Sequence, residues 1–90
     1  MAERRSKHEI IYDILNLISH KGGKVKPTHI LYGGNLSHDR LKKYLQELID
    51  AGFIEKVEDK GKTFYQMGEK GYKFMEEFKK IEEMTQAFGI

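Results

Sequence analysis

Apolar residues recur at helical steps from early in the chain. Ile10, Ile14 and Ile18 stand four apart, and Ile11, Leu15 and Leu17 widen the same stripe. Ser6 and Glu9 form a capping-box pattern ahead of it, and Gly22-Gly23 stop it, so the spacing predicts a helix over 7–20. A face this wide suits the central helix of a core. Pro27 then opens a short helix through Tyr32, which Gly33-Gly34 end, with Asn35 and Leu36 as the turn. Ser37 is placed to cap a further helix. That helix puts Leu41, Tyr44, Leu45, Leu48 and Ile49 on one side, puts Asp39, Lys42, Lys43 and Gln46 on the other, and ends at Gly52.

After Gly52 the pattern changes. Residues 53–57 and 63–67 read as strands, joined by the polar connection 58–62 with Gly61 at a turn position. Gly68 precedes a last helix over 69–88. Helix, short helix, turn, helix, β-hairpin, helix is the order of a winged helix-turn-helix, an α+β class of three helices with a hairpin wing, here with an extra C-terminal helix. The expected division is 1–68 for the winged domain, led by a basic arm, and 69–90 for a dimerisation element.

The run PTHILYGGNLSHDRLKKYLQELIDAGFIEK, followed by FYQMGEKGYKFMEEF, resembles a family of small archaeal winged-helix DNA-binding proteins. The likeness covers about residues 6–80. It is carried by Tyr32 with Asn35-Leu36-Ser37, by Tyr44-Leu45 with Leu48, by Gly52-Phe53-Ile54, and by Glu69-Lys70-Gly71 with Phe74. The resemblance implies double-stranded DNA binding, in transcription regulation or in chromatin. It also implies a homodimer joined by an antiparallel coiled coil of the last helices. There are two departures. Gly68 stands where such proteins often have a Thr cap, and the final helix is shorter than in members with long coiled coils.

Charge and composition sharpen this only in part. The net charge is +2, but residues 1–50 carry nine Lys/Arg against six Asp/Glu, whereas residues 51–90 carry seven against eight. The surplus in the N-terminal half suits an anionic partner. No Cys is present, so disulfides and thiolate metal sites are excluded. No apolar run reaches a membrane span, and MAERRSK has no hydrophobic segment behind it. A cytoplasmic, nucleoid-associated protein is expected.

In a helix-turn-helix the second helix offers its N-terminal residues to base edges and its flanks to phosphates. Here those are Ser37, His38, Asp39, Arg40, Lys42, Lys43 and Gln46. Arg and Lys pair with guanine and Gln with adenine, while Asp39 is an acceptor for cytosine N4. Phosphate contacts are expected from three further places. These are the arm Arg4-Arg5-Ser6-Lys7-His8, the wing tip with Lys60 and Lys62, and the start of the short helix with Lys24, Lys26 and Thr28. The plain alternative is that Lys42 and Lys43 are only the wet side of an amphipathic helix.

Along the last helix Phe74, Phe78, Ile81, Thr85 and Phe88 follow at spacings of four, three, four and three, with Met75 and Met84 beside them. This heptad-like seam is the candidate dimer face, although its first part must also cover the domain's own core. The four His lie apart, with no ligand spacing such as HExxH, and no Gly-rich loop follows a strand. No enzyme, cofactor, metal or small-molecule ligand is therefore expected. The rival function is a winged helix used for protein contact in a transcription or repair assembly, since fold alone does not establish DNA binding.

Overall fold

The computed structural model describes residues 5–33 and 36–89. Gly34 and Asn35 of the expected turn, and Arg4 of the arm, lie outside the described residues. The elements run α1 (Lys7–His20), β1 (Lys24–Val25), α2 (Pro27–Gly33), α3 (His38–Asp50), β2 (Ile54–Asp59), β3 (Lys62–Met67) and α4 (Glu69–Ala87). This is the winged helix-turn-helix order.

Local chemistry explains the helix ends. The Glu9 amide donates to Ser6 Oγ at 3.2 Å and the Ser6 amide to Glu9 Oε1 at 3.1 Å, closing the capping box of α1. At the other end Gly22 and Gly23 take φ of 87° and 89°, a region that costs a side chain dearly. The Gly23 amide thereby reaches the Ile18 carbonyl at 2.9 Å and ends the helix. Ser37 Oγ accepts from the Arg40 amide at 3.3 Å and starts α3.

Helix α1 is central, as its wide stripe predicts: Ile10, Ile11, Ile14, Leu15 and Ile18 are all buried. Around them pack Ile30 of α2, Leu41, Leu45 and Leu48 of α3, and Val25, Ile54 and Met67 of the sheet. The sheet is antiparallel in the order β1-β3-β2. Strand β1 is absent from the sequence reading, since two residues leave no periodicity. It forms because Lys24 and Val25 meet Gln66 and Tyr65 across a long stretch of chain.

The wing differs from the expectation in one respect. The strands extend to Asp59 and Lys62, which face each other, so the connection is Lys60-Gly61 rather than five residues. Both take positive φ, 52° and 78°, the handedness of a two-residue turn matched to strand twist.

Gly68 also acquires a reason. A Cβ there would stand 2.7 Å from the Gly52 carbonyl oxygen and 3.2 Å from that of Phe53, to which the Gly68 amide donates at 2.8 Å. One turn on, a Cβ at Gly71 would collide with the same Phe53 oxygen. The pair of glycines lets α4 start directly against the end of α3. Restoring a cap by Gly68→Thr is therefore expected to destabilise the fold by about 1–3 kcal/mol. That is a drop of roughly 5–20 °C in Tm for a domain of this size, read by thermal circular dichroism. A rise in Tm would mean that the missing cap outweighs the close approach. No described helix is long and apolar enough to cross a membrane.

Candidate nucleic-acid interface

Helix α3 stands with Leu41, Leu45 and Leu48 inward, so its other side is turned to solvent. Exposed there are His38, Asp39, Arg40, Lys42, Lys43, Gln46 and Glu47. Thr28, His38 and Lys42 rim a cleft of about 270 Å³ between α2 and α3, floored by Leu31, Leu41 and Tyr65. Among the described residues neither Lys42 nor Lys43 is ion-paired with a carboxylate. Asp39 sits in the first turn of α3, where a negative charge also stabilises the helix through its dipole. Gln46 Nε2 donates to Asp50 Oδ1 at 2.9 Å, which holds the amide along the helix. The Ser37 hydroxyl is already engaged in capping α3.

The wing tip presents Lys60 and Lys62, both exposed. Lys24 does not share that face freely. Its ammonium lies 4.7 Å from the centre of the Phe64 ring and 3.8 Å from Asp59, so it ties β1 to the wing and neutralises one of the two acids beside the tip. Lys26 is exposed at the entry to α2.

Arg5 departs from the expectation of an outward arm. It folds back on α1 and pairs with Asp13, two turns along the helix. Lys7, read as part of the same arm, is instead the first residue of α1, and its Nζ lies 3.1 Å from Glu47 of α3. Nothing local in the sequence signals that pairing.

The seam of α4 divides. Phe74 packs on the core and lies 5.3 Å, ring to ring, from Phe53. Phe78 stacks on Tyr12 of α1 at 4.8 Å and on Phe74 at 5.9 Å. Both rings are thus engaged within the chain. Beyond them Ile81 is 59% exposed, Met84 59% and Phe88 76%. Thr85 turns its hydroxyl to the Glu82 carbonyl at 2.8 Å, which removes a polar obstacle from this face.

The winged helix-turn-helix family model matches residues 4–86. The chain belongs to the winged helix-turn-helix family. A relative from Methanocaldococcus jannaschii, an uncharacterized protein, is 40% identical over 57 residues, which are 63% of this chain and 57% of that protein. The chain thus matches little more than half the length of that relative. Among solved structures, Sso10a-2, a DNA-binding protein from Sulfolobus solfataricus, superposes with a TM-score of 0.75 at 29% identity, covering 92% of this chain and 87% of the other. F93 from STIV, a winged-helix DNA-binding protein, superposes with a TM-score of 0.72 at 22% identity over 86% of this chain and 90% of its own, a likeness of fold alone. The resemblance to small archaeal winged-helix DNA-binding proteins seen in the sequence is borne out. As a winged helix-turn-helix protein the chain has the fold of DNA-binding transcription regulators.

Proposed function

We propose that this protein binds double-stranded DNA by laying α3 in the major groove, as a transcription regulator or a chromatin-associated protein of the nucleoid. Lys42, Lys43, His38 and Arg40 flank the groove contact, and Asp39 and Gln46 face base edges. Lys26 and Thr28 lie along one backbone strand, and Lys60 and Lys62 of the wing touch flanking phosphates. The observation that carries this is that α3 buries its leucines and leaves Lys42 and Lys43 exposed, with no carboxylate partner among the described residues. A homodimer joined through the distal half of α4 is part of the proposal, supported by the bare Ile81, Met84 and Phe88.

With about six phosphate contacts, affinity for random duplex should fall with a log–log salt slope near −5, measured by fluorescence anisotropy. A protein without affinity for duplex at low salt would sink the proposal. It would favour the protein-docking reading, towards which Asp39, Glu47 and Asp50 on the exposed side of α3 lean.

A further inference from the structure

A helix in the major groove has a phosphate backbone on each side of it, about 12 Å apart across the groove. The cleft bordered by Thr28, His38 and Lys42 addresses the side towards α2. On the other flank of α3, Arg40, Lys43 and Tyr44 form a notch of about 260 Å³ with Lys7 of α1 and Glu47. Among the described residues, three cations and one carboxylate line this concavity. Tyr44 supplies an apolar wall, with the Arg40 guanidinium 5.9 Å from the centre of its ring. Lys7 and Glu47 meet at 3.1 Å, yet their side chains are 57% and 48% exposed, so an arriving anion can open the pair at little cost.

We propose that this notch seats a DNA phosphate on the α1 side of α3, and that Glu47 engages Lys7 until the phosphate replaces it. The seat rests on the reading of α3 as the DNA-facing helix, and it assigns to Lys7 a contact with the second backbone strand. Glu47 then acts against binding, since its charge faces the phosphate. Among the described residues the two flanks of α3 are thereby unlike: the cleft on the α2 side has no carboxylate in its lining, and the cationic notch on the α1 side has one.

The test is anisotropy with the full chain and a random duplex over a range of salt. Lys7→Ala should reduce the magnitude of the salt slope by about 0.9, equivalent to roughly an eightfold loss of affinity at about 0.1 M salt. Glu47→Gln should strengthen binding more than Glu83→Gln, which removes the same charge from α4. Both Lys7 and Glu47 are surface residues, and an unchanged melting curve shows that the fold is intact. An unaltered slope for Lys7→Ala, or equal gains for the two Gln variants, overturns the notch. If that happens while reversing Lys42 and Lys43 still abolishes binding, the DNA reading stands and only the notch falls. Undiminished binding by the Lys42/Lys43 variant removes both.

Discussion

Replacing Lys42 and Lys43 by Glu is expected to abolish binding to duplex DNA while leaving the protein folded. Both side chains are exposed, and among the described residues neither is tied to a carboxylate, so their charges are available to a polyanion. Removing two phosphate contacts alone costs roughly 60-fold at about 0.1 M salt. Two introduced carboxylates add repulsion at close range, which takes the expected loss well beyond a hundredfold. The fold should hardly notice. Exposed substitutions of this kind shift stability by about 0.5 kcal/mol or less, and one turn on from position 43 lies Glu47, whose repulsion adds a few tenths. A Tm within about 4 °C of the parent is expected. Anisotropy and a melting curve on the same sample decide it, and undiminished binding would mean that the wrong side of α3 has been assigned to DNA.

The second large effect concerns α4. Ile81→Lys combined with Met84→Lys is expected to convert a dimer into a soluble monomer. Buried apolar side chains of this size contribute about 1.5–3 kcal/mol each, and a symmetric interface counts every one twice. Removing four such contributions exceeds what a short helical seam can lose. The choice of positions comes from the structure: Phe78 stacks on Tyr12, so altering it would loosen the domain as well as any dimer. Ile81 and Met84 are each 59% exposed and make no ring stack of this kind among the described residues, so Tm should reflect mainly the loss of association. Light scattering over a concentration series is the measurement. A parent protein that is already monomeric at roughly millimolar concentration would end the dimer proposal.

Ser6 with Glu9, the isoleucine stripe of α1, Gly22-Gly23, Pro27, Ser37 and the leucines of α3 were sufficient to place three helices in order, with the hairpin and α4 behind them. Each of those signals acts within one or two turns of the residue that carries it, through a cap, a steric allowance or a periodic face. Glycine 68 was legible as a weak cap and not as a necessity. Its neighbours in space, the carbonyls of Gly52 and Phe53, are set by how α4 docks and not by its own pattern.

The same distinction runs through the candidate site. Residue types and spacing marked α3 as the basic, exposed helix of the motif. Whether a given cation is available depends on what the fold brings to it. Arg5 meets Asp13, Lys24 meets Asp59 and Phe64, and Lys7 meets Glu47 from another helix, while Lys42 and Lys43 meet no carboxylate among the described residues. Pairing across the fold is a matter of a few ångströms, which no one-dimensional pattern encodes. By itself, then, the sequence determined the four helices and the hairpin, their order and the chemical character of each face, because helix periodicity and end capping are local, whereas the two-residue β1 came only from its pairing with β3. Only the tertiary structure decided which charges remain outward, which part of the α4 seam is left uncovered, and why two glycines must stand at its start. Those depend on contacts between residues far apart in the chain.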